Sequence, residues 1–406
     1  MPTEITLTKV DIGMMEDVGT SANQLVQLDS NAKVPAVDGS LLTGMNTTLS
    51  GASDPTLSTN PSGVGIKYKN TTDGEMFICT DATAGENVWT NVGGGTGDVK
   101  PFLVQGESYG FVMGGNGYSS GYPATLYLNR ISKFAFASSS SGTDLADLTI
   151  GRQGVNGGKS STYGYACGGE PLASPQGGRI EKFAFVSTAN STTVGELSVW
   201  RSMSSNSQSS GTYVYNAGGN VGPPLGERGT VIDKFAVASD ADATNVGDLI
   251  EGGHSQSVSF DSTHGYVAGG YNTDPAVGTG STCIQRFSFA TDGNSTDVGD
   301  MFVGRFSNEG ASSLTHGYSA GGAITAYQNT IQKYAMASSS TGTDVGDLLT
   351  STGDGMGVMD TAYGYHVGGY PGNINVIQRY AFVSDGNAVD VGDMEQGTAT
   401  GGSTET

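Results

Sequence analysis

The sequence predicts an all-β chain whose C-terminal three-quarters repeats one four-stranded unit six times. Three observations predict it: a glycine-rich composition that keeps its aromatics, a Gly-Gly doublet that returns about every fifty residues, and a cation-to-acid spacing that never changes.

Glycine supplies 65 of the 406 residues, yet no G-X-Y period runs through them, which excludes a collagen helix. The chain also holds 18 Tyr and 14 Phe. Abundant Gly beside many aromatics reads as short strands joined by tight turns.

The doublet closes an apolar, aromatic run six times: YGFVMGG, YGYACGG, YVYNAGG, HGYVAGG, HGYSAGG and YGYHVGG. Its first glycines are Gly114, Gly168, Gly218, Gly269, Gly321 and Gly368, at intervals of 54, 50, 51, 52 and 47 residues. A second motif follows each doublet (ISKFAF, IEKFAF, IDKFAV, IQRFSF, IQKYAM, IQRYAF), and then a third (DLADL, TVGEL, NVGDL, DVGDM, DVGDL, DVGDM). The central cation and the last acid stand 14 residues apart in every copy: Lys133/Asp147, Lys182/Glu196, Lys234/Asp248, Arg286/Asp300, Lys333/Asp347 and Arg379/Asp393. A spacing without slips marks a hairpin of fixed register, so these pairs are expected to face each other as cross-strand ion pairs. With one further strand before each doublet, the unit has four strands in about fifty residues.

Four mostly apolar residues, then GG, then an aromatic strand and a short strand, resemble the kelch repeat. Arg152, Arg201 and Arg305 resemble the arginine that follows the fourth kelch strand. The kelch tryptophan is missing, and V-G-D/E-L stands in its region. The resemblance covers residues 99–406 and implies a six-bladed β-propeller of four-stranded blades. The sequence from Ala22 to Met45 resembles N-terminal modules of tail fibres and related structural proteins of tailed phages, marine ones among them. Residues 54–89 resemble a small β module of the same proteins. The expected organisation is an extended attachment and trimerisation segment over 1–50, a small β module with a Gly-rich joint over 51–98, and the propeller over 99–406.

The resemblance implies a virion protein, a tail fibre or appendage, that meets other virion structural proteins through its N-terminal segment as a homotrimer. A net charge of −21 repels phosphate backbones, so no nucleic-acid partner is expected. The N-terminus has neither a basic n-region nor an apolar h-region, and no apolar run is long enough to cross a bilayer. Synthesis in a host cytoplasm without membrane insertion is the expectation.

No enzyme motif emerges, and no cofactor or metal is expected. His264 and His316 occupy a slot held elsewhere by Tyr109, Tyr163, Tyr213 and Tyr363, and so read as packing residues. His366 takes a slot that holds Val112 or Ala166 elsewhere, while His254 stands alone. Cys167 fills a slot of small apolar residues and reads as filler. Asp-rich turns at residues 292–297 and 385–390 lack the EF-hand spacing.

Function is expected where length varies. From the doublet's first glycine to the next isoleucine the distance is 17, 12, 14, 15, 10 and 9 residues. These second-to-third-strand loops carry Tyr118, Tyr122, Tyr127, Tyr271, Tyr327 and Tyr370, flat apolar rings with a hydroxyl that suit sugar or protein contacts. Recognition of a host-surface glycan or protein is the first functional expectation. Particle decoration or assembly comes second, and a polysaccharide depolymerase third. Residues 398–404 are expected to return to residues 109–114 as a missing strand.

Overall fold

The computed structural model describes residues 48–92, 99–117, 126–137, 141–171, 177–202, 207–221, 229–271, 280–339, 341–372 and 374–406. The expected trimerisation segment and the Gly-rich joint lie outside the described residues, apart from the last few residues of the former. The chain divides into two compact units, 1–101 and 102–406. The described residues are all-β.

The first unit holds one four-stranded sheet. Thr48–Gly51 pairs in parallel with Lys67–Asn70, which continues antiparallel to Met76–Asp81 and Val88–Asn91. The alternation in KYKN and MFICT buries one face, so Tyr68, Phe77, Cys79 and Trp89 form its core with Ile66. Val99 bridges Trp89 in this unit, beyond the expected end at residue 98.

The second unit holds six four-stranded antiparallel sheets, one for each copy of the repeat. In the second sheet the strands are Asn156–Lys159, Tyr163–Cys167, Arg179–Ala184 and Thr192–Glu196, in spatial order. The first sheet takes its first strand from the far end of the sequence. Gly402–Glu405 pairs antiparallel with Tyr109–Met113, with Gly402 opposite Met113 and Glu405 opposite Gly110; the sequence predicts this return but places it over 398–404, of which Thr398–Ala399 pairs instead with Asn116–Gly117. The first strands of successive sheets lie against one another, and the circuit closes where Met356–Met359 meets Gly402–Glu405. That approach is close enough to demand glycine: a Cβ on Gly157 would stand 1.7 Å from the Ser403 oxygen, and one on Gly310 1.8 Å from the Val258 oxygen.

The doublet has a different task. Both of its glycines adopt positive φ in all six copies, from 60° to 112°, a region where a side chain is strained. The second glycine's N–H donates to a carbonyl of the crossover into the next sheet: Gly115 to Arg152 at 2.8 Å, Gly270 to Arg305 at 2.8 Å, Gly369 to Thr398 at 2.8 Å. The doublet therefore turns the chain and clasps the neighbouring repeat in one step.

The register corrects one expectation. Asp147, Glu196, Asp248, Asp300, Asp347 and Asp393 face Arg130, Arg179, Val231, Cys283, Thr330 and Val376, three residues before the cations they were matched with. The hairpin is tighter than the 14-residue spacing assumes: each cation faces the residue ten positions on, Lys133 opposite Thr143 and Lys333 opposite Thr343, and the bulge in every third-to-fourth strand pair shifts the alignment by only one residue. Three of the six cations instead reach forward: Lys182 meets Asp240 at 2.6 Å, Lys234 meets Asp292 at 2.5 Å, and Lys333 meets Asp385 at 2.6 Å, all one repeat on, while Lys133 and Arg379 lie over Tyr109 and Tyr363 of their own repeats. The acids' carbonyls accept N–H groups from the same neighbour, Ser191 to Asp147 at 2.9 Å and, across the seam, Gly142 to Asp393 at 2.8 Å. In the three copies of Lys182, Lys234 and Lys333, both ends of the invariant spacing touch the next repeat, not each other.

Aromatic contacts follow the same rule. Tyr215 stacks on Phe289 at 4.7 Å, Tyr318 on Phe382 at 4.7 Å, and Tyr365 of the last repeat on Phe136 of the first at 4.9 Å.

Candidate functional site

The turns and loops of the sheets separate into two groups. Those between first and second strands are uniform. A side-chain oxygen accepts the N–H that opens the second strand in each: Ser160 from Tyr163, Ser210 from Tyr213, Asp261 from His264, Ser313 from His316 and Asp360 from Tyr363. In the first sheet Thr406 Oγ1 does this for Tyr109 at 3.2 Å. The segment that leads into that sheet, Phe102–Gly106, runs along these ends of the first strands and bridges Asp360 through Gly106. Phe102 lies 5.5 Å from the Lys159 ammonium, Gln105 donates to the Ser312 carbonyl at 3.3 Å, and Gly106 donates to Met359 at 3.0 Å.

The variable loops start beside the crossovers. Arg152–Gln153 pairs with Glu170–Pro171, Arg201–Ser202 with Asn220–Val221, and Thr398–Ala399 with Asn116–Gly117. Buried arginines brace this junction. Arg152 donates to the Gly168 carbonyl at 2.8 Å and meets Glu181 at 3.2 Å; Arg201 donates to Gly218 at 2.9 Å and meets Asp233 at 2.5 Å. Arg305 donates to Gly321 at 2.7 Å, and burial pulls its guanidinium down to about 10.

Four of the six expected tyrosines fall among the described residues; Tyr118 and Tyr122 lie outside them. Tyr127 accepts a hydrogen bond from Gln153 Nε2 at 3.0 Å. Tyr271 stacks on His254 at 5.5 Å and meets the edge of Phe306 at 5.2 Å. Tyr327 and Tyr370 come together at 5.8 Å. Tyr271 and Tyr370 remain 37% and 48% exposed, enough of each ring to offer a partner. The six tyrosines are thus not one patch: the structure joins Tyr327 to Tyr370 and gives Tyr271 partners that the sequence did not suggest.

At the starts of the first strands the backbone does something unusual. Gly154, Ser255, Ser307, Asp354 and Thr400 all have positive φ, from 55° to 63°, and four of them are not glycine. Their main chains are linked in series. Gly154 donates to Thr400 at 2.7 Å, Thr400 to Asp354, Asp354 to Ser307 and Ser307 to Ser255, each at 2.8 Å. These residues border a cavity of about 60 Å³, together with Gln256, Asn308 and Glu309. Left-handed backbone at non-glycine residues is a cost that packing must offset, and it gathers at functional sites.

The cavity wall holds a buried carboxylate, Glu309, that sequence reading passed over. Glu309 and His366 lie 3.0 Å apart with both side chains about 1% exposed. Burial pushes the Glu309 carboxyl up to about 7 against the pull of His366, and burial also raises Asp354. The signal for Glu309 was present in the alignment. It is the one acid in a first-strand slot held elsewhere by Asn156, Ser257, Met356 and Gly402. His264 and His316 each open a second strand, half-buried beside a threonine hydroxyl at 2.8 Å. Cys167 is fully buried with its thiol raised to about 12, which suits a filler and not a nucleophile. Among the described residues, no group of three or more His, Cys, Asp and Glu is gathered to hold a metal, and no helix is long and apolar enough to cross a membrane.

No protein-family model matches the chain, and no curated protein matches its sequence.

Proposed function

We propose that residues 102–406 form a six-bladed, kelch-like β-propeller on a viral fibre or appendage, and that its variable loops bind a host-surface glycan or protein. The observation that carries the reading is the contrast in one repeated frame. Strands, doublets and inter-repeat bonds keep their spacing, while the segment after each doublet runs from 9 to 17 residues and carries exposed tyrosines. Length freedom confined to one side of a rigid scaffold is how binding loops are presented. The closed circuit of first strands supports the propeller, because closure removes the exposed edges of an open array. The viral setting rests on the resemblance of residues 22–45 and 54–89 to phage structural modules, as does trimerisation through residues 1–50.

A glycan array probed with the labelled full chain tests the binding reading. Selective signals that fall on Tyr327→Ala or Tyr370→Ala are expected, since stacking rings supply much of sugar affinity. Signals unchanged by both substitutions, or none at all while the chain still blocks adsorption of the virus, would move recognition away from these tyrosines. Light scattering should give three times the 41.4 kDa chain mass; a monomer would overturn the trimer.

A second reading, docking against another virion protein, draws on a different feature. Ile250, Phe302 and Leu349 occupy the same slot in three consecutive repeats and are 55%, 55% and 52% exposed. Three apolar side chains in register would suit a particle contact. Loss of incorporation into particles on Phe302→Asp, with glycan signals intact, would favour it.

A further inference from the structure

Two of the loop tyrosines meet over a glycine. Gly353 and Tyr370 are bridged in both directions, the Gly353 N–H to the Tyr370 carbonyl at 3.0 Å and the Tyr370 N–H to the Gly353 carbonyl at 2.7 Å. Thr352 Oγ1 donates to the same Tyr370 carbonyl at 3.0 Å. The Tyr327 ring lies on the bare backbone of Gly353, where a Cβ would stand 2.9 Å from it. The two rings are thereby held with centroids 5.8 Å apart and planes at 59°. Tyr370 keeps 48% of its surface exposed, so a ligand can reach the pair.

Asp354 follows Gly353 directly, with its N–H on the Ser307 carbonyl at 2.8 Å. Burial, and after it the charge of Asp354, pushes the Tyr327 hydroxyl up, so the carboxylate acts on this pair. It is the one acid in a slot that four other repeats fill with Gly154, Ser255, Ser307 and Thr400. The wider charge agrees. From Phe306 to Thr406 the chain has ten acids against two Lys or Arg, Lys333 and Arg379. Lys333 is paired with Asp385 at 2.6 Å, and Arg379 lies 4.2 Å from the Tyr363 ring. Tyr363 opens a second strand and Asp385 follows the end of a third, both at the ends remote from the loops. At the loop end, Asp347 and Asp393 face Thr330 and Val376. Neither acid has a cation across the sheet.

Aromatic rings beside a carboxylate that no cation neutralises attract positive charge and resist negative charge. Tyrosine faces also take the apolar side of a sugar ring. We propose that Tyr327, Tyr370 and Asp354 recognise a primary ammonium group, and that the glycan bound at this face carries a free amino sugar. This ligand is a narrower case of the loop-bound glycan proposed above and depends on that reading. The sugar ring lies against Tyr370, the more exposed of the two tyrosines, with its ammonium on the Asp354 side. Sugars bearing carboxylate, phosphate or sulfate are repelled from the same place, and acetylation of the amine removes the attraction.

Calorimetry of the full chain with methyl glucosaminide and with its N-acetyl counterpart isolates the charge, because the two share a ring. At about pH 7 most of such an amine is protonated. The glucosaminide should then bind about fivefold more tightly or better. Sodium chloride should shrink that preference, since it screens an exposed pair of charges. Asp354→Asn should remove most of it; asparagine tolerates the left-handed backbone, which circular dichroism would check. Should that variant misfold, the salt dependence of the unmodified chain decides. A preference that survives either Asp354→Asn or added salt overturns the proposal. Equal affinities for the two sugars, both lost on Tyr370→Ala, would overturn it and leave the glycan reading standing. Binding of neither sugar would overturn it as well, and the glycan array separately shows whether the loops bind sugar at all. Nα-acetyl-lysine amide is the third ligand. Tighter binding of that compound than of the glucosaminide would assign the ammonium to a protein partner and overturn the amino sugar.

Discussion

The two ends of the sheets solve the same topological problem in opposite ways. At one end, the turn from first to second strand in five sheets uses a Ser or Asp oxygen to hold the next strand's N–H, and in the first sheet Thr406, just past the returning strand, takes that place. At the other end, the segments after the doublets share only their bases, where buried arginines and the doublet's own N–H groups fasten them to the crossover. Beyond those bases length is free. The comparison teaches that this scaffold isolates variation: each long loop is anchored within two residues of its departure, so its tip does not burden the sheet.

The largest effect should come from the element that completes both ends of the first sheet. Deleting residues 396–406 removes the strand opposite Tyr109–Met113 and the Thr406 cap together. The melting temperature of the full chain should fall by on the order of 10 °C or more. An unchanged value in calorimetry would mean that the first sheet is stable with three strands.

Arg201→Ala comes next, at the base of a variable loop. It leaves Asp233 buried without its partner and strips carbonyls of Gly218 and Val231 of a donor, at a cost of about 3–5 kcal/mol in chemical denaturation. A loss below about 1 kcal/mol would show that the loop base is not braced by the arginine.

At the uniform end, Asp360→Ala removes bonds from the N–H groups of Ala362 and Tyr363 and from the Tyr365 hydroxyl. The expected loss is about 1–2 kcal/mol. Lys333→Ala breaks only the half-exposed pair with Asp385 and should cost about 0.5 kcal/mol or less. If the two losses came out equal, the turn cap would be no more than a surface contact.

The smallest effect belongs to the first variable loop. Replacing residues 118–125 with a short turn, and keeping the paired Asn116–Gly117 and Leu126–Tyr127, should change the melting temperature by less than about 2 °C. A larger fall would place those residues in the core and undo the contrast between the two ends.

The repeat was readable because its packing demands recur: a doublet with positive φ, an aromatic that reaches the next repeat, and a fixed distance between two contact points. The meaning of that distance was not readable. Lys333 and Asp347 look like a cross-strand pair, but the hairpin closes more tightly and sets Lys333 opposite Thr343, ten residues on. A constant spacing shows that a register is fixed without showing where the turn lies. The cavity was hidden for a related reason. Asp354 and Glu309 lie in different repeats and border one cavity only because the first strands of successive sheets lie side by side. Loop tyrosines were easy to find, yet Tyr271 gained Phe306 and His254 from crossovers that the alignment treated as connectors.

The return of Gly402–Glu405 to Tyr109–Met113 also sets a timetable. During translation, residues 109–147 leave the ribosome early with one edge unpaired, and their partner is made some 290 residues later. At ordinary synthesis rates that is roughly 15–60 s. Throughout that interval the nascent chain presents a strand rich in buried-type side chains to its neighbours on the same messenger. Where several copies are made close together, the open edge is the place at which they would first misassociate, and the arrival of Gly402–Glu405 is what ends the exposure.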